Sequence, residues 1–112
     1  MTDMPYTIYA EGIYRAIKLV SSLKVPIIIT ENGVADSADD IRSMYIKKYI
    51  YAVSKAISEG ANVVGYYYWS LMDNFEWAEG YDMKFGLYEV DFNTQKRTLR
   101  KGARVFVDIA NE

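Results

Sequence analysis

Between residues 6 and 23, Tyr9, Ile13, Ala16, Ile17 and Val20 recur at helical spacing, with Glu11, Arg15, Lys18 and Ser22 on the opposite side. This pattern predicts an amphipathic helix with one face to bury. The run Val25-Pro26-Ile27-Ile28-Ile29-Thr30 follows, with no polar alternation. A run that is apolar on both sides predicts a strand covered on two faces, the habit of parallel sheets. Pro26 fits the first residues of such a strand, where a missing amide donor matters little.

Asn32-Gly33 breaks the strand with a turn signal. The stretch Asp36–Asp40 offers an N-cap and a negatively charged first turn, and the spacing predicts a helix over about 39–59. Ile46, Tyr49, Ile50, Val53 and Ile57 form its apolar stripe, Lys47, Ser54 and Ser58 its wet face, and Gly60 its end. Asn62–Ser70 is a second strand candidate without polar alternation. An aromatic and acidic loop, Leu71–Lys84, comes next. Phe85–Thr98 is expected to form one or two short strands around Asn93-Thr94, and Arg100–Ala110 a last helix. Helices alternating with apolar strands predict an α/β architecture with parallel strands. Only two core strands are present, however, and a two-stranded parallel sheet cannot cover its own edges. The expectation is that part of the fold lies outside this chain.

Composition narrows the chemistry. The 112 residues include 11 Tyr and 2 Trp but no Cys and no His. Disulfides, thiolate nucleophiles and His-based triads are therefore excluded within the chain, and a metal site would have only oxygen ligands. With 13 basic and 15 acidic residues, net charge -2, no nucleic-acid partner is expected. The longest apolar stretch, around Val63–Trp69, is far short of the roughly 20 residues that span a bilayer, so no membrane partner is expected either. The first residues lack the basic head and cleavage site of a signal peptide, and the expected location is cytoplasmic.

Two places could carry chemistry. Glu31 follows directly on a buried strand, at the edge where α/β sheets and barrels bind ligands. Taken alone it could equally be an exposed loop carboxylate. The stretch Trp69-Ser70-Leu71-Met72-Asp73-Asn74-Phe75-Glu76-Trp77 also follows a strand's carboxyl end. Indole faces stack on the C–H faces of pyranose rings while carboxylates and amides bind sugar hydroxyls, so the combination suits carbohydrate. A hydrophobic plug or an interface is the alternative.

These residues, in this order, resemble the C-terminal portion of glycoside hydrolase family 1, the β-glucosidase and β-glycosidase family. The resemblance runs from Glu11-Gly12-Ile13-Tyr14 through Pro26-Ile27-Ile28-Ile29-Thr30-Glu31-Asn32-Gly33 to Gly65–Trp77, and on through Gly80-Tyr81, Phe85-Gly86-Leu87, Val90-Asp91 and Arg97. The Trp-Ser-Leu-x-Asp-Asn-x-Glu-Trp run is its most specific part. The resemblance implies that residues 1–112 form the C-terminal quarter of a single (β/α)8 TIM barrel, with Val25–Thr30 as its seventh strand and Asn62–Ser70 as its eighth. It further implies that Glu31 is the nucleophile of a retaining glycosidase, forming a covalent glycosyl-enzyme that water opens. Trp69 would be the platform under the sugar, Glu76 a bidentate acceptor and Trp77 an indole donor to the glycone, and Phe85 an apolar wall. No cofactor is implied. A carboxylate at Glu76 would repel a phosphate, so unphosphorylated β-glycosides or oligosaccharides are the expected substrates.

Ala10, Tyr49, Lys84, Leu99, Arg100 and Gly102 depart from the family pattern, none at a position carried over as catalytic or sugar-binding. A larger departure is the absence of the Thr-x-Asn-Glu-Pro motif that carries the family's acid/base. A retaining glycosidase needs two carboxyl groups roughly 5–5.5 Å apart, so the isolated chain is expected to be inactive or nearly so. Three accounts fit: a truncated or broken glycosidase, one chain of a split barrel completed by its N-terminal part, or a non-catalytic carbohydrate-binding module.

Overall fold

The computed structural model describes residues 2–112; Met1, the first residue of the expected domain span, lies outside the described residues. The elements follow the order α1 (Ala10–Ser21), β1 (Ile27–Ile29), α2 (Arg42–Ser58), β2 (Val63–Tyr66), β3 (Tyr88–Asp91), β4 (Lys96–Leu99) and α3 (Arg104–Ala110), with short 3-10 turns at Trp77–Glu79 and Lys101–Ala103. The architecture is α/β. Strands β1 and β2 pair in parallel, Ile27 with Val63, Ile28 with Gly65 and Ile29 with Tyr66, with a bulge after the first pair. Strands β3 and β4 form an antiparallel hairpin, Tyr88 facing Leu99 and Asp91 facing Lys96. Its turn holds Asn93 and Thr94, as expected; the Asp91 carboxylate accepts both their amides, at 2.9 and 3.2 Å, and these bonds hold it below the usual carboxylate range. Among the described residues no helix is long and apolar enough to cross a membrane.

Helix α2 is the hub, because each of the three apolar clusters draws residues from it. Val53 and Ala56 pack with Ile17 of α1, and Ile27, Ile29, Val63 and Tyr66 of the strands lie against them. Tyr45 and Tyr49 join Val34. Ile46, fully buried, joins Leu87 and Ala103, with Leu99, Val105 and Phe106 around them. The ring of Tyr49 stacks on Tyr45 at 4.1 Å and its hydroxyl accepts the Tyr9 amide at 3.0 Å, so this departure from the family pattern closes the start of α1 onto α2.

Helix α2 begins at Arg42 and not at residue 39. Asp39 adopts a left-handed backbone (φ 57°), which halts helical propagation, and the cap comes from further back. One oxygen of Asp36 accepts the amides of Ile41 and Arg42, both at 2.9 Å. The acidic run therefore serves the helix start through Asp36. At the other end Gly60 takes a φ of 104°, as expected of the residue after the helix.

Helix α1 is shorter than the expected 6–23 span, and of its stripe Ile17 is buried while Ala16 and Val20 are exposed. The strands differ from expectation in the same way. Ile27 and Ile29 lie against the helices, but Ile28 is 54% exposed, and so are Val64 (59%) and Tyr67 (61%). The apolar run has cover on one face only, because a two-stranded sheet offers no second layer to the other.

Candidate active site

The pairing of β1 with β2 continues beyond both strands. The Tyr67 amide donates to the Ile29 carbonyl at 2.8 Å, and the Trp69 amide donates to the Asn32 carbonyl at 3.0 Å. Glu31 thus leaves the carboxyl end of β1 beside the segment leaving the carboxyl end of β2. Gly33 makes this approach possible: a Cβ there would sit 1.6 Å from the Trp69 carbonyl oxygen. Asn32 is clamped between two elements, its amide donating to the Tyr45 hydroxyl at 3.1 Å and its oxygen accepting from the Tyr66 hydroxyl at 2.6 Å. Burial pushes both phenols well above their ordinary pKa, so both remain protonated, Tyr66 as a donor and Tyr45 as an acceptor. The backbone next to Glu31 is fixed, and Glu31 itself is exposed.

The Trp69-Ser70 peptide is cis. From there the chain runs parallel to residues 85–88: Ser70 donates to the Phe85 carbonyl (3.3 Å), Leu87 to Ser70 (2.9 Å), Tyr88 to Leu71 (2.9 Å) and Asp73 to Tyr88 (3.1 Å). Asp73 is buried against Arg100, which grips it with two bonds of 2.8 and 2.9 Å. Burial alone would raise the Asp73 pKa, but the guanidinium and the amides of Gly86 and Val90 outweigh it and hold the carboxyl below the usual carboxylate range. Beyond Asp73 the loop turns back, and the Glu76 amide donates to the Gly80 carbonyl at 2.7 Å.

This geometry brings Trp69 and Glu76 together: the indole Nε1 donates to Glu76 Oε1 at 3.1 Å. The Trp69 side chain, 36% exposed, offers ring surface to the solvent while its nitrogen orients the carboxylate. Trp77 opens the 3-10 turn at φ 50° and is 84% exposed. Phe85 lines a groove together with Ile8, Gly33, Val34, Ala35, Tyr45 and Tyr49, and Trp69, Glu76 and Trp77 are not in that lining. Among the described residues no group of three His, Cys, Asp or Glu converges as metal ligands.

A second ionic knot underlies the loop. Arg42, fully buried, donates to Asp39 Oδ1 at 2.5 Å and to the carbonyls of Asp36 and Lys84 at 3.0 and 2.8 Å. The other Asp39 oxygen accepts the Gly102 amide at 2.8 Å, and a Cβ on Gly102 would fall 2.5 Å from that carboxylate. Glycine at this departure from the family pattern has a steric reason here. Sequence reading missed the Asn32 clamp and both ion pairs; the signal for one of them was Arg100, visible as a departure but without a role.

The sequence profile "Glycosyl hydrolase family 1" matches residues 1–112. A β-galactosidase of Pyrococcus woesei is 44% identical over 110 residues, covering 97% of this chain and 22% of the relative. A 6-phospho-β-galactosidase of Streptococcus equi subsp. zooepidemicus is 43% identical over 121 residues, covering 97% of this chain and 26% of the relative. Among solved structures, a β-glycosidase from Pyrococcus horikoshii superposes with a TM-score of 0.94 at 47% identity, covering 97% of this chain and 26% of that one. The hyperthermophilic β-glucosidase from Pyrococcus furiosus gives 0.95 at 48% identity, covering 98% and 24%. The chain spans about a quarter of the length of these relatives. With its full length matched by the family profile and its fold shared with these glycosidases, the chain belongs to glycosyl hydrolase family 1.

Proposed function

We propose that this chain supplies the nucleophile and the glycone shelf of a retaining β-glycosidase, as the C-terminal quarter of a (β/α)8 barrel with β1 and β2 as its seventh and eighth strands. The observation that carries the reading is the joined edge: Glu31 and Trp69 leave neighbouring parallel strands, locked by the Trp69–Asn32 bond of 3.0 Å, and Trp69 holds Glu76 at 3.1 Å. Carboxyl ends of parallel barrel strands are where such enzymes gather their reacting groups. Glu31 attacks the anomeric carbon, the leaving oxygen departs with a proton from a second carboxyl group, and water later opens the glycosyl ester. No Thr-x-Asn-Glu-Pro motif occurs in the chain, so that second group comes from another part of the barrel.

The Trp69 face supports the sugar ring. Glu76 accepts the indole N–H through Oε1 and presents its carboxylate to sugar hydroxyls. Trp77 adds an exposed donor. A fixed carboxylate at this point disfavours a phosphorylated glycone by like-charge repulsion, so the substrates are neutral β-glycosides. The open face at Ile28, Val64 and Tyr67 is the side on which the remaining strands pack.

The test combines this chain with the first six βα units of a family relative and follows hydrolysis of an aryl β-glucoside. The chain alone is expected to be inactive, the combination active, and the combination carrying Glu31→Gln inactive. Full activity from the isolated chain, or an active Glu31→Gln combination, would overturn the reading.

A further inference from the structure

We propose that Arg100 and Asp73 act as positioning residues for the sugar shelf: their buried pair sets the Trp69–Glu76 contact without belonging to it. The inference rests on the glycone reading above. Loop 71–84 contains no helix or strand beyond one 3-10 turn, so its shape depends on its anchors. Asp73 is the deepest of them, 2% exposed, lying between Trp69 and Glu76 in sequence. Its two oxygens receive four donors: Arg100 Nη1 at 2.8 Å, Arg100 Nη2 at 2.9 Å, the Gly86 amide at 3.0 Å and the Val90 amide at 3.2 Å. Arg100 Nη1 also donates to the Gly86 carbonyl at 2.8 Å, and the Arg100 amide donates to Leu87 at 2.9 Å.

The knot therefore ties three stretches together: the sugar-facing loop, residues 86–90, and the link between β4 and the 3-10 turn at Lys101–Ala103. Between the anchor and the shelf the loop is stiffened locally. Asn74 donates to the Ser70 hydroxyl (3.1 Å) and the Met72 carbonyl (3.0 Å), and Ser70 donates to Met72 (2.9 Å). A displacement of Asp73 is thus passed through Met72 and Asn74 to Ser70, the residue next to Trp69. The planar fork of Arg100 matters as well as its charge, since it serves two carboxylate oxygens and a carbonyl at fixed angles. An ammonium at this position cannot reproduce that set.

The experiment is performed on the combination with the first six βα units of a family relative, with this chain alone carrying 15N-labelled tryptophan and the Trp69 indole signal assigned through Trp77→Phe. Glu76→Gln defines where the signal moves when the carboxylate contact is altered. Arg100→Met is expected to move the Trp69 signal in the same direction and to weaken binding of methyl β-glucoside by ~10-fold. Arg100→Lys is expected to give an intermediate shift. Ile46→Val thins the neighbouring core without touching the pair and is expected to leave the signal in place.

An unmoved Trp69 signal in Arg100→Met overturns the proposal. Should that variant lose the wild-type helical signal, an unmoved signal in Arg100→Lys overturns it. So does an equal shift in Ile46→Val, which would mark general loosening. The indole readout needs no sugar. Absence of sugar binding by the wild-type combination together with a shift in Arg100→Met therefore removes the glycone reading and leaves the positioning role standing.

Discussion

Beyond the carboxyl ends of β1 and β2, buried charge and hydrogen bonds tie each loop to its neighbours, through Asp73–Arg100, Arg42–Asp39 and the Asn32 clamp. Along the strands themselves the chain is bare on one side, with Ile28 and Val64 more than half exposed. The loop edge is tied internally, whereas the strand pair leaves one apolar face exposed. The contrast follows from what each region must do. Loops without helix or strand have to be held by their own supports, while a strand pair has its edges and its second face left to whatever packs there.

The contrast can be broken from the loop side first. Asp73→Ala leaves the Arg100 charge buried without its carboxylate, and the expected loss of stability is about 3–5 kcal/mol, measured by urea unfolding of the chain. A loss under about 1 kcal/mol would mean that the edge is not held by this pair.

Acid offers a smaller and graded version of the same break. The Asp73 carboxyl is held below its ordinary value by Arg100 and two amides, and Asp91 by the amides of its turn. The stability each contributes is fully present above the unfolded-state pKa of about 3.9 and is lost as pH falls through the lower folded value. The unfolding midpoint is expected to fall below about pH 4, and to fall less in Asp73→Asn. An acid profile identical in that variant would remove Asp73 from the account.

The strand side supplies the smallest effect. Val64→Thr changes an exposed position, and its stability is expected to stay within about 0.5 kcal/mol of wild type in the isolated chain. A cost above about 1.5 kcal/mol would show that the face is already covered in solution, by a second copy of the chain.

The parts of the fold legible in sequence were those governed by local signals. Gly60 marked the end of α2, Asn93-Thr94 marked the hairpin turn, and the uninterrupted Ile27-Ile28-Ile29 marked a strand. The start of α2 was harder to place, because Asp36, Asp39 and Asp40 are all plausible caps and only the left-handed Asp39 decides among them. Glu31 and the Trp69–Trp77 run were visible as candidates because they follow apolar strands. The indole bond from Trp69 to Glu76 was not visible, since it depends on how the loop folds back over seven residues. Phe85 shows the same limit: its carbonyl accepts the Ser70 amide while the residue lines a groove that Trp69, Glu76 and Trp77 do not.

The sequence by itself determined the alternation of helices and strands, the absence of histidine and thiol chemistry, and the motifs shared with family 1. These rest on periodicity, composition and residue order, which need no knowledge of distant contacts. Tertiary structure alone decided that one face of the strands is open, that Trp69 orients Glu76, and that Arg100 closes on an aspartate 27 positions earlier. Those outcomes depend on which surfaces meet after the chain folds, and no local pattern encodes a partner so far along the chain.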